Sequence, residues 1–148
     1  MTPPKHNLSA ATMIVVLMFV YLMLSGCVDD KTNWETSSTF ITNNLTLHGT
    51  EGTFGIVKAN GESDEPEFPV GKGRLYHVYF LDSTKIFSGK KYKMLATHQD
   101  SEDHVELYEA IIENNQSGAK FVLEKSGLWK IDVLVDDEQY TSFIVEAK

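Results

Sequence analysis

A single cysteine, Cys27, leaves the chain without any intramolecular disulfide, so a part that folds in an oxidising compartment must rely on its apolar core. Clustered basic side chains are also missing. The longest such patch is "GKKYK" at residues 89–93, on an expected strand, and no Lys/Arg footprint of the kind a phosphate backbone requires is present. This argues against nucleic acid as a partner. The first 27 residues carry one lysine and no carboxylate, which leaves 12 basic and 21 acidic side chains on the rest. The remainder is therefore anionic. There is no G-x-S-x-G elbow to present a nucleophilic serine, no internal repeat, and no second core that would justify another domain. About 115 residues beyond Cys27 suffice for one hydrophobic core.

What the N-terminus does contain is "MIVVLMFVYLML" at residues 13–24, twelve apolar side chains in a row, preceded by Lys5 and His6. Positive charge followed by an apolar run is the order of a secretory signal. Stretched to residues 8–26, the run approaches the roughly 20 residues of a membrane-spanning helix, so an uncleaved anchor is the rival reading. The boundary favours the signal. Leu24, Ser25 and Gly26 run directly into Cys27, the leucine, small, small, cysteine pattern of a bacterial lipobox. A thiol just outside the apolar run sits where a lipid-modifying enzyme can reach it, and the small residues before it fit a narrow peptidase cleft. Two acyl chains on a diacylglyceryl group hold stably where one holds marginally. The expected organisation is a signal or anchor helix over residues 1–26, lipidated Cys27 and a polar tether over 27–35, and a folded domain over 36–148. That places the domain on the extracytoplasmic face of the cell membrane, with the membrane itself as partner through Cys27.

Beyond the tether, short β-branched or aromatic runs alternate with Gly, Asn, Asp and Ser. Strands are expected at residues 44–49, 53–59, 74–81, 91–98, 119–124, 128–135 and 140–147. Such spacing argues an all-β antiparallel sandwich or barrel. Trp129, Ile131, Val133 and Val135 share one face of their strand and Lys130 and Asp132 the other. "DDEQ" at 136–139 then closes a C-terminal hairpin with a four- or five-residue loop, and Gly127 supplies a tight corner ahead of it. Two stretches are less regular. Residues 104–113, "HVELYEAIIE", read as a strand although Val105, Tyr108, Ile111 and Ile112 also fall at helical spacing. Residues 59–73, rich in Gly, Pro and acid, read as a long mobile connection.

The "LSGC" boundary, a soluble part of this size, the opening "LHGTEGTFGI" and the ending "KSGLWKIDVLVDDEQYTSFIVE" resemble a group of Gram-positive, Bacillus-type lipoproteins whose soluble part is similar to an immunoglobulin sandwich. The resemblance implies an immunoglobulin-like domain. It brings no catalytic or ligand residues with it. The chain departs from true immunoglobulin domains in lacking their cysteine pair and in placing Trp129 on a late strand instead of the third.

Three stretches are candidates for chemistry or binding. "RLYHVYFL" at 74–81 has apolar residues on both faces; it is either a central strand covered on both sides or one that leaves Leu75, His77 and Tyr79 as a docking strip, since amphipathic aromatics favour interfaces. "HQDSEDH" sets His98 and His104 about Asp100, Glu102 and Asp103, a set whose carboxylates suit a hard cation and whose imidazoles suit zinc or copper. Its spacing matches no established metal motif, and a solvated turn is the plainer reading. "ESDEPE" at 62–67 reads the same way, as a solvated acidic loop with calcium as the alternative. "NLT" at 44–46 matches a glycosylation acceptor, which has no meaning behind a bacterial lipobox. No catalytic residue and no cofactor are expected. The leading expectation is a non-enzymatic binding module at the envelope, its partner an envelope protein or cell-wall component; capture of a metal ion or small ligand by loop 98–104 is the alternative.

Overall fold

The computed structural model describes residues 31–148, within which Trp34–Lys148 forms one compact unit. Nine strands follow one another: β1 (Thr39–Thr42), β2 (Leu45–Thr50), β3 (Phe54–Lys58), β4 (Arg74–Phe80), β5 (Lys91–His98), β6 (His104–Ile111), β7 (Gln116–Phe121), β8 (Gly127–Val135) and β9 (Glu138–Ala147). They form two antiparallel sheets, the first in the order β1-β2-β3-β4-β7 and the second β6-β5-β8-β9. Residues 104–111 are thus strand. β1 was not anticipated, and β7 begins three residues ahead of the expected 119 because Gln116, Ser117 and Gly118 carry no apolar signal of their own.

The core lies between the sheets. Phe54, Ile56, Tyr76, Val78 and Phe80 of the first sheet meet Tyr92, Met94, Ile131, Val133 and Phe143 of the second. Phe54 approaches Phe143 with ring centroids 5.8 Å apart, and Phe80 meets Tyr92 edge-on at 5.3 Å. Each such buried side chain contributes about 1.5–3 kcal/mol. The polar ends of the aromatics are satisfied: Tyr92 donates to Ser117 Oγ across the sheets at 2.8 Å, and Tyr140 to the Thr53 carbonyl at 2.9 Å.

Three turns are two residues long with both residues at positive φ: Asn43–Asn44, Asn114–Asn115 and Asp136–Asp137. Asn and Asp tolerate this left-handed region, whose twist matches that of the flanking strands. The C-terminal hairpin therefore turns on two residues instead of four or five. Glu138 and Gln139 belong to β9, and a bulge that leaves Tyr140 without a partner restores the register.

Residues 59–73 are fastened down, contrary to expectation. The Glu65 carboxylate takes both Nε and Nη2 of Arg74, at 2.6 and 2.7 Å, and Lys58 Nζ at 3.2 Å. Glu67 accepts the Lys58 backbone N–H, and Phe68 enters the core, stacking on Tyr76 at 5.4 Å. Gly61 sits at φ 115°, and a Cβ there would collide with Glu65 Oε1.

Candidate functional site

β4 alternates between two environments. Tyr76, Val78 and Phe80 enter the core, while Leu75 and His77 are exposed and Tyr79 is half-buried on the outer face of the first sheet. The strand is central, between β3 and β7, yet only one of its faces is covered. Cross-strand pairing identifies the neighbours of the strip. His77 lies between Val57 and Gly118, Tyr79 between Gly55 and Gln116, and Leu75 beside Lys120. Further out, Leu47 of β2 leans over Gly55 with Phe40 of β1, and Leu45, paired with Thr42, continues the same face. Among these positions Lys120 is the only charged side chain. The His77 and Tyr79 rings stand 6.4 Å apart at 49°, and Gly118 beside them leaves a trough: a Cβ there would touch nothing nearer than Leu75 Cδ1 at 3.5 Å.

The outer face of the second sheet is different in kind. Lys93 meets Glu109 at 3.2 Å and Glu106 at 3.8 Å, Lys91 meets Glu109 at 3.3 Å, and Lys130 meets Asp132 at 3.2 Å. Glu109 is held below the ordinary carboxylate range, first by its hydrogen bond to Lys93 and then by that to Lys91. Ion pairs dominate this surface, with Leu95, Leu134 and Ile111 set among them, whereas the outer face of the first sheet carries one lysine and no carboxylate.

Loop 98–104 does not assemble the expected ligand set. His98 is buried, its Nε2 3.0 Å from the Ser126 carbonyl and its Nδ1 accepting the Asp100 N–H at 3.2 Å, which fixes the Nε2–H tautomer. Its ring meets Trp129 edge-on at 4.9 Å. His104 instead pairs through Nδ1 with Thr97 Oγ1 at 2.6 Å. Thr97 and His98 are consecutive strand residues and point to opposite faces, so the two imidazoles are separated by the sheet. Glu102 and Asp103 are exposed, as is Asp100, and among the described residues no group of three His, Cys, Asp or Glu side chains is arranged to hold a metal ion. The acidic run at 62–67 is likewise committed elsewhere, since Glu65 is enclosed by Arg74, Lys58 and, at 3.8 Å, Lys72.

Loop 98–104 does border a cleft. His98, Ser101 and Asp103 face Val105, Leu107 and Trp129 around about 290 Å³, at the low end for a small-molecule site. Its floor is apolar. Sequence reading missed this cleft, and missed Val57, Gly118 and Lys120 as members of the β4 face, because membership depends on which strands pair. Cys27 lies outside the described residues.

No family model and no curated protein matches the chain. Among solved structures, the fold is similar to the crystal structure of a Bacillus anthracis protein designated a lipoprotein, with 22% identity, 80% of this chain and 88% of that chain covered, and a TM-score of 0.64. The two share a fold.

Proposed function

We propose that the protein is a lipid-anchored, extracytoplasmic binding module without catalytic activity, in which the outer face of the first sheet docks an envelope protein or cell-wall component. The observation that carries this reading is the strip of Leu75, His77 and Tyr79 on a sheet face whose only charge is Lys120, within an otherwise anionic domain. Amphipathic aromatic side chains with polar tips favour interfaces. The anchor reading draws on the lipobox at Cys27 and on the designation of the structural neighbour. An immunoglobulin-type reading of the sandwich draws on strand pairing. The chain crosses sheets between β4 and β5, β4 pairs with β7, and β5, β8 and β9 pair in series, as strands B, E, C, F and G do in that fold. On this reading β1 and β2 are additions at one edge.

A photoreactive residue at position 77, introduced into the full chain in intact cells, tests the docking face. Adducts are expected at 77 and not at position 134, on the outer face of the second sheet. Equal labelling at both positions sinks the reading. Mass spectrometry of the same material tests the anchor: a diacylglyceryl-modified Cys27 as first residue is expected, and an intact leader with a free thiol contradicts it.

A further inference from the structure

We infer that the cleft beside loop 98–104 is a binding site for a small molecule that joins an apolar body to an ammonium group. This goes beyond the docking face of the first sheet and uses none of its residues. The cleft exists because the two sheets part at this corner. Val105 of β6 stands opposite Ala96, which is fully buried, so both point to the core side, yet Val105 is 51% exposed. A bulge follows: pairing passes from Leu95–Glu106 to Met94–Tyr108, which leaves Leu107 without a partner strand residue and packed against the core beside Val105. On the other side the chain leaving β7 bends away instead of closing over them. Leu123 bridges to Val70 and its carbonyl accepts the Gly71 N–H at 2.9 Å, so Val122, Glu124 and Lys125 form a separate wall. Between the two walls lies the opening of about 290 Å³, with Trp129 and His98 at its base.

That base is preformed. Trp129 Nε1–H donates to the Lys125 carbonyl at 2.9 Å and His98 Nε2–H to the Ser126 carbonyl at 3.0 Å, so both rings are pinned by the chain that forms the facing wall. A ligand entering there orders little that is not already fixed. The apolar interior takes an apolar body, and the mouth sets the charge. Asp103 on one lip and Glu124 on the other are exposed and, among the described residues, held in no ion pair, while Asp100 and Glu102 stand exposed on the same loop. Lys125 is the lone cation among them. Four carboxylates against one lysine, around a cleft of low dielectric in an anionic domain, focus a negative potential at the opening. Because no three ligating side chains converge among the described residues, the charge to be matched is that of an organic cation and not of a bare metal ion.

The test uses the full chain in non-ionic maltoside micelles, isotope-labelled at its two tryptophans, Trp34 and Trp129, whose indole N–H signals are followed by NMR and assigned with Trp34→Phe. Three probes share one body and differ in charge: phenethylamine, phenethyl alcohol and phenylacetate. Phenethylamine is expected to shift the Trp129 signal saturably with the Trp34 signal unmoved, and to bind about tenfold tighter than phenethyl alcohol, with phenylacetate weaker still. Asp103→Asn combined with Glu124→Gln, two exposed changes expected to leave the thermal midpoint in place, should bring amine and alcohol within about twofold of each other. A Trp129 signal unmoved by the amine, an amine that binds no tighter than the alcohol, or a preference that survives the double substitution overturns the proposal. Equal shifts at both tryptophans report partition into the micelle and overturn it as well. The docking-face reading is decided separately, by the adducts at position 77.

Discussion

Glu65 ties the end of β3 to the start of β4, with its carboxylate enclosed by Arg74 and Lys58. The hydrogen bonds from Arg74, and after them those from Lys58, hold its pKa down at about 2 against an ordinary 4.5. A carboxylate whose folded value is depressed contributes stability above its unfolded value and loses it as pH falls through the folded one. The window is therefore pH 4.5 to 2. Glu65→Gln is expected to flatten the fall in thermal midpoint across that window, which melts at several pH values check directly; an unchanged slope would mean that other carboxylates carry it. His48 acts at higher pH. Burial lowers its pKa below 6.5, against an opposing pull from Glu67, so the folded state resists protonation and stability declines as pH drops below 6.5. Gly61→Ala is a second test of the same corner, because the new methyl group meets Glu65 Oε1 at a backbone angle that alanine avoids. A loss of more than about 1 kcal/mol in urea melts is expected. None of this was legible in "ESDEPE", where six residues display four acids. The cations that claim Glu65 lie on two strands, seven and nine positions away in sequence.

At the scale of strands and turns, alternation of apolar and polar side chains was the readable signal, and it located most of the strands. It failed where side chains carry little. β1 is four residues long with Ile41 three-quarters exposed, so no buried periodicity marks it. Turn length was also misjudged, since Asp136–Asp137 lacks the glycine that ordinarily announces a two-residue hairpin. That pair offers a further prediction. Asp137 adopts φ 64°, so Asp137→Gly relieves left-handed strain and is expected to stabilise the domain by about 0.5–1 kcal/mol. Denaturant midpoints measure it. Between sheets, Tyr92→Phe removes the hydroxyl that reaches Ser117 without changing the packed ring. The expected cost is about 0.5–1.5 kcal/mol, read in the same melts. The burial that packs the Tyr92 ring also pushes its phenol up to about 12.

For the molecule as a whole, the division of labour between two sheet faces was only half legible. Leu75, His77 and Tyr79 stood out in sequence, but "RLYHVYFL" alone does not say whether its second face is covered; that depends on which sheet β4 joins and on what crosses over it. The alternative of His98 and His104 as cation ligands turned on the same kind of information. Six positions of separation suggested proximity, whereas strand alternation sends the rings to opposite sides of the second sheet. Most of the ion pairs there are partly exposed, so solvent and salt screen them and each contributes little to stability. Raising salt to 1 M is accordingly expected to leave the thermal midpoint within a few degrees of its low-salt value.

Ser37, just ahead of β1, exchanges hydrogen bonds with Ile144 on β9: its N–H donates to the Ile144 carbonyl at 2.9 Å, and its Oγ accepts the Ile144 N–H at 2.9 Å. Mechanical load arriving through the chain upstream of Trp34 therefore falls first on that small clasp and next on the short β1–β2 ladder. Under tension the domain would shed its leading residues like a seam opening from one end, giving up slack while β3 to β9 stay shut.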